Sequence, residues 1–413
     1  MTPVERAARR TFRSLATRNF RLYFLGQVVS GTGSWMQMVA QAWLVLRLTD
    51  SGVALGLTLA LQFAPTLLAG AWGGVVADRV DKRKLLVVTA ATSATLAFAL
   101  GAVTAAGVVE VWMVYVLAVA LGLVTAIDNP GRRSFVPELV PPADVANAVG
   151  LNSSVFTAAR VVGPALAALV IATLGVAWCF VLNGLSFAAV IVALLAMRPS
   201  ELRSSTPVPR RRRQLREGLV YAWNNRPVRM ALLVTAIIGT LAFNYQVVLP
   251  LMATEEFGGD AGTFGMMMAV LGAGSLIGAL WTAHFGRASE RVMLLAVLSL
   301  GVTTMAASLA SSLPLEIVVL PMVGLSSMVV LSMATAVCNE ATAPEFRGRV
   351  MALFAIAFLG STPIGGPLIG WVSQAIGPRA GLAIGGVAAL VTAAVALTAR
   401  HHERARAPQV LSA

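Results

Sequence analysis

The residues best placed to do chemistry in this chain fall into a few groups. Gly74, Asp78, Arg79, Lys82, Arg83 and Lys84 lie in the stretch GGVVADRVDKRKLL, where an acid at the end of an apolar run is followed by a basic cluster. An acid at a helix end can meet the positive N-terminus of a neighbouring helix and a nearby guanidinium, a contact that holds one end of a bundle closed. Gln27, Ser30, Ser34, Gln37 and Gln41 recur every three or four residues, which makes one face of a helix polar. That face meets either another helix or a water-filled cavity. Arg160 sits inside an apolar run one turn before Pro164, whose missing N–H frees the Arg160 carbonyl. An arginine at the centre of a membrane helix costs about 2.5–3.5 kcal/mol on insertion scales, so it needs an acid, carbonyl, water or ligand partner. Arg160 is expected to serve ligand binding or a conformational charge pair.

Asp128 and Glu340 stand near helix ends, where a partly desolvated carboxylate can carry a proton as its partners separate, or can simply brace the structure. Trp35, Asn152, Asn183, Asn244, Tyr245, Gln246, Ser361 and Thr362 add polar or aromatic groups within apolar runs, a lining suited to an uncharged or amphipathic ligand. Enzyme chemistry finds little support. Of three histidines, His401 and His402 lie in the tail and His284 is isolated. Cys179 and Cys338 are too far apart in sequence for a thiolate motif, and no glycine–lysine phosphate loop is present. Neither a metal nor an organic cofactor is expected.

The elements that must position these groups follow from composition. Of 413 residues, 57% are hydrophobic and 12% charged, and the mean hydropathy is +0.80. That composition excludes a water-soluble globule and points to an all-α polytopic membrane protein. A hydrocarbon core of about 30 Å takes roughly 20 helical residues. Runs of that length predict twelve spans at 20–46, 52–76, 85–108, 111–129, 147–172, 177–197, 229–253, 262–284, 292–312, 315–338, 350–374 and 380–399. The net charge of +13 reads as topology rather than nucleic-acid binding. All but three of the 31 basic residues fall on one side of the predicted spans; Arg47 and Arg379 lie opposite, and Arg160 lies within. The basic side is cytoplasmic by the positive-inside rule, so both termini are expected there. Asp50, Glu110, Glu255, Glu256, Asp260 and Glu316 fall on the other side. The arginine-rich N-terminus reads as retained rather than cleaved.

The chain repeats itself. Gly70, Arg79 and Arg83 superpose on Gly278, Arg287 and Arg291, and Gly163–Pro164 on Gly366–Pro367. Two pseudo-repeated six-helix bundles are expected, an N-terminal one over 1–197 and a C-terminal one over 229–413, joined by a basic linker over 198–228.

The stretch around Asp78 resembles the loop motif of the major facilitator superfamily, a glycine four residues before an Asp–Arg pair and a basic cluster; Asp81 stands where that family usually has glycine, and the second copy has Gly286 in place of the acid. The resemblance implies that Asp78 packs at the start of the eleventh span and shares charge with Lys82 and Asp128. Gly150, Ala159, Gly163, Pro164, Ala167 and Ala168 resemble the family's exporter motif with three glycines replaced by alanine, and Pro363, Gly365, Gly366, Pro367 and Gly370 repeat its chemistry in span eleven. PELVPPADVANAV and EATAPEFRGRVMALF resemble the branch holding the enterobactin exporter and macrolide efflux proteins. That branch implies a monomeric bacterial inner-membrane exporter of a siderophore, macrolide or drug-like compound, working by alternating access and proton antiport. An uptake symporter or facilitator for a small metabolite shares the fold evidence, and a non-transporting membrane sensor is the further alternative. Reporters fused after residue 205 and at the C-terminus should read as cytoplasmic and one inserted at Gly259 as external; an external reading at 205 would reverse the orientation.

Overall fold

The computed structural model describes residues 11–203, 214–285 and 287–410, and among these no strand occurs. Arg6, Arg9, Arg10, Arg210 to Arg213, Gly286 and the 204–213 part of the linker lie outside the described residues. The helices are α1 (Arg18–Thr49), α2 (Gly52–Arg79), α3 (Lys82–Ala105), α4 (Val111–Phe135), α5 (Val145–Leu174), α6 (Val176–Leu195) and a short α7 (Gln214–Asn224). They continue as α8 (Arg226–Leu241), α9 (Tyr245–Leu251), α10 (Ala261–Phe285), α11 (Glu290–Ser308), α12 (Leu313–Glu340), α13 (Pro344–Leu359), α14 (Ser361–Ile376) and α15 (Pro378–Val410). Each apolar run expected to span is helical.

Among the described residues, eleven helical segments are long and apolar enough to cross a membrane. The expected count of twelve is therefore not confirmed. The missing one is α1, which at 32 residues has the length, but whose polar face from Gln27 to Gln41 lowers its hydropathy. Two spans expected to be continuous are broken. The seventh stops at Leu241 and restarts at Tyr245, and the eleventh stops at Leu359 and restarts at Ser361. At each break a side chain covers a carbonyl that the helix leaves open: Asn244 Nδ2 donates to Thr240 O at 2.7 Å and Ser361 Oγ to Phe358 O at 2.5 Å. Beyond Pro250 the seventh span finishes in a π-helical turn, Met252–Glu256.

The two kinds of connection differ. On the arginine-poor side five turns leave through a left-handed residue, at Asp50, Gly107, Gly175, Gly258 and Gly377, and Gly175 and Gly377 each join two helices single-handed. On the arginine-rich side three helices start from side-chain caps. Asp81 accepts from Lys84 N at 3.1 Å for α3, Asn225 from Val228 N for α8, and Ser289 from Val292 N for α11. Asp81, the departure from the family's glycine, is thus the N-cap of α3.

The chain divides into two compact units, one of Met1–Asp50, Leu61–Pro209 and Ala261–Ala269, the other of Ser51–Ala60, Arg210–Asp260 and Val270–Ala413. In the first, α1 packs on α5 and α6, and α3 on α4 and α6. An apolar cluster of Phe20, Tyr23, Leu86, Phe135, Leu139, Phe187 and Leu194 fills the arginine-rich end. In the second, α11 packs on α12 and α15, and α8 meets α12, α13, α14 and α15. Close approach depends on missing side chains: a Cβ at Gly122 would fall on the Gln62 carbonyl, and one at Gly324 on the Leu271 carbonyl. Gly70, by contrast, has open space. Gly122→Val should therefore destabilise the protein by about 1–3 kcal/mol, read as a lower thermal unfolding midpoint in lipid, and Gly70→Val should not.

Candidate functional site

One charge cluster of the first unit centres on Arg132, in the last turn of α4. It pairs with Asp128 one turn earlier and donates through Nη1 to Gln27 Oε1 on α1. Thr89 Oγ1 on α3 donates to the second Asp128 oxygen at 2.7 Å, and the Tyr23 hydroxyl lies in the same field. Three helices are thus joined through one guanidinium. Of the residues expected to share charge with Asp78, Asp128 is held by Arg132 and Thr89, and Lys82 Nζ pairs with Glu138, both side chains of that pair only 11% exposed. Glu138 lies on the 3₁₀ turn Val136–Leu139 after α4, and its carbonyl accepts from Arg203 N at 3.0 Å.

Gly74 is buried in α2, while Asp78 and Arg79 stand exposed at the end of that helix. Arg83 donates to Leu194 O at 2.7 Å and Leu195 O at 2.9 Å, closing the C-terminus of α6 where cations are favoured. Glu340, the last residue of α12, accepts from the Ala288 amide at 3.4 Å.

The polar face of α1 bonds outward to a different helix at each amide. Besides Gln27, Gln37 Oε1 accepts from Asn183 Nδ2 at 2.7 Å, and Asn183 Oδ1 in turn accepts from Ser186 Oγ at 2.9 Å. Gln41 Nε2 donates to Gln62 Oε1 on α2 at 3.2 Å. Between them Trp35 is buried; the Arg160 guanidinium lies 5.1 Å from its ring centroid and Phe156 meets it edge-on at 5.9 Å. The approach of α5 that brings Arg160 over Trp35 depends on Gly163, where a Cβ would meet Trp35 Cβ and the Thr32 carbonyl. Ala159 and Ala167 are buried on the same stripe, and Pro164 O is covered by Gly265. Gly150 is exposed with open space around it. Ser34 and Asn152 are half-buried.

In the second unit the broken helices meet at their breaks. A Cβ at Gly365 would fall on Thr240 O and against Asn244 Nδ2, and one at Gly239 on Ser361 Oγ. Phe243 stands 6.4 Å from the Tyr245 ring and 6.5 Å from Phe358, while the Tyr245 hydroxyl shares a hydrogen bond with Ser327 Oγ on α12 at 2.9 Å. Gln246 and Pro363 are half-buried beside this cluster in sequence. Gly366 and Gly370 of α14 lie against Gly56 and Gly52, and a Cβ at Gly56 would fall on the Gly366 carbonyl; Pro367 follows half-buried. Sequence reasoning missed Arg132, Glu138, Gln62 and the breaks.

An all-helical, multi-pass arrangement with charge pairs at helix ends, amides between helices and breaks at mid-span is that of a membrane transporter with a small-molecule cargo. The chain belongs to the transmembrane secretion effector family of the major facilitator superfamily, whose family model matches residues 9–410. The staphyloferrin A transporter of Staphylococcus aureus is 24% identical over 264 residues, 63% of this chain and 66% of that protein. Macrolide efflux protein A of Streptococcus pyogenes is 25% identical over 352 residues, 84% of this chain and 87% of that one. Among solved structures, a bacterial homolog of the human lysosomal transporter Spinster, inward-facing and occupied, superposes with a TM-score of 0.73 at 15% identity over 94% of this chain and 97% of that one.

Removing one partner of a buried pair leaves an uncompensated charge. Lys82→Met should cost about 3–5 kcal/mol, seen as a lower unfolding midpoint, and the exchange Lys82→Glu with Glu138→Lys should recover part of it.

Proposed function

We propose that this chain is a secondary active exporter of a small amphipathic molecule, working by alternating access between an N-terminal bundle (1–197) and a C-terminal bundle (229–413) joined by the 198–228 linker. It resides in a bacterial inner membrane with both termini in the cytoplasm, acts as a monomer and exchanges its cargo for protons. The observation that carries the reading is the chemistry of the mid-span groups. Arg160 over Trp35, the Gln37–Asn183 pair and the Asn244–Tyr245 break offer hydrogen bonds and aromatic faces without an acid. Within each unit, groups of this kind suit a largely apolar cargo with a few polar or anionic groups. Relatives named for staphyloferrin A transport and macrolide efflux support that class.

Asp78, at the end of α2 and ahead of the Asp81 cap, acts in this reading as the cytoplasmic gate with Gly74, Arg79, Lys82, Arg83 and Asp128. Separation of the gate frees Asp128 or Glu340 to exchange a proton. Efflux from cells and uptake into inverted vesicles, measured with erythromycin and with staphyloferrin A, test the proposal. Asp78→Asn should slow transport at unchanged membrane abundance. Arg160→Ala should lose most of it, while Arg160→Lys keeps a part, because lysine retains the charge but not the planar stack. Full activity of Arg160→Ala would remove Arg160 from the cargo site.

A further inference from the structure

Glu316 stands in the first turn of α12 with a relative exposure of 0%, and neither of its carboxylate oxygens has a hydrogen-bond partner. A buried carboxyl group in that condition is stable only when it holds a proton or faces a counter-charge. Its charged neighbour is Arg379, near the start of α15. That guanidinium is already engaged, since Arg379 Nε donates to Glu256 Oε2 at 2.7 Å. One cation therefore faces two carboxyl groups and is bonded to the more exposed of them, Glu256 being 24% exposed.

Among the described residues no other counter-charge faces Glu316. The helices that meet α12 are α8, α9, α10, α11 and α13. α9 is uncharged and α10 has only His284, in its last turn, while the others carry their charged residues in their first turns: Arg226 and Arg229, Glu290 and Arg291, and Glu345, Arg347 and Arg349. Those turns lie by the Glu340 end of α12, where Asn225 Nδ2 donates to Ala341 O and Ala288 N to Glu340. At the Glu316 end of the second unit the described charged groups are Arg379 and Glu256, with Glu255 exposed just before Glu256 and Asp260 exposed after it. Glu256 also closes the π-helical turn Met252–Glu256, a geometry common where a helix changes register.

We propose that Glu316 is a proton-binding site of the second unit, controlled by Arg379. Glu316 holds its proton while Arg379 is bonded to Glu256. When the guanidinium crosses to Glu316, the proton leaves to water at that end of the helix, Arg379 becomes the counter-charge, and Glu256 is released to solvent. The charge inside is conserved at each step. The role of this site as the coupling site rests on the proton-antiport reading; the binding of a proton by Glu316 does not.

The two are tested separately. In the full chain reconstituted in lipid, the infrared C=O stretch of a neutral carboxyl group should be present at neutral pH, should be lost in Glu316→Gln and should move in frequency in Glu316→Asp. In Arg379→Gln it should survive to more alkaline pH. A band unchanged in both Glu316 variants would overturn the site, and a band with an unchanged pH profile in Arg379→Gln would overturn its control by Arg379. In proteoliposomes loaded with erythromycin, wild-type movement that follows an imposed pH gradient, together with loss of that dependence in Glu316→Gln, supports the coupling role. Gradient-driven movement that persists in Glu316→Gln overturns it. Wild-type movement that ignores the gradient overturns antiport itself, while the infrared result still decides the proton site.

Discussion

Lipid tails are as apolar as leucine, so burying the leucines and valines of these helices against one another gains little over leaving them in the bilayer. Helix association must come from contacts lipid cannot offer: close backbone approach at small residues, and hydrogen bonds between groups that would otherwise be unsatisfied. Both are concentrated at particular places in this protein. Gly122 on α4 and Gly324 on α12 let neighbouring carbonyls come into contact. The amides of α1 reach α2, α4 and α6 one by one. The cost of keeping so polar a helix in the membrane is offset by making it the hub of its unit.

Charge is sorted along the helices by the same constraint. Ion pairs sit where helices end: Arg132 with Asp128, Lys82 with Glu138, Arg379 with Glu256. The middle is left to neutral donors, acceptors and rings, and the basic side chain placed there, Arg160, is laid on the face of Trp35. An aromatic face draws a cation without offering it a fixed hydrogen-bond geometry. Around Arg132 the bonds are multiple and directional, and a change of partner there requires several contacts to be exchanged together.

The periodicity and charge pattern of the sequence locate the helices and the special character of α1 and Arg160, because hydrophobic run length and the side of the basic residues are local properties. What was not legible had non-local causes. The partners of Lys82 and Asp128 lie on turns or helix faces whose orientation depends on how α3 and α4 pack, so Glu138 and Arg132 could not be chosen over other nearby charges. The break at Ala242–Asn244 carries no proline; it is stabilised by the Asn244 side chain and by the approach of Gly365, a residue from a different span. Glu316 was visible as an acid near a span end, but its complete burial could be learned only from the packing. Asp81 shows the reverse case, where a departure from a family's glycine is explained by a purely local bond to Lys84 N.

The contact of Gly52 and Gly56 with Gly370 and Gly366 joins residues more than three hundred positions apart. During synthesis the start of α2 leaves the ribosome long before α14 exists, and its glycine face has no partner until nearly the whole chain has been inserted. Until then that face must be occupied by lipid or by the insertion machinery. Completion of the second unit is consequently a late event, and a nascent chain halted in the linker cannot acquire it. A gene cut at the linker would yield a second fragment lacking Ser51–Ala60, a piece of its own unit, so the two products would have to be present in one membrane to restore it.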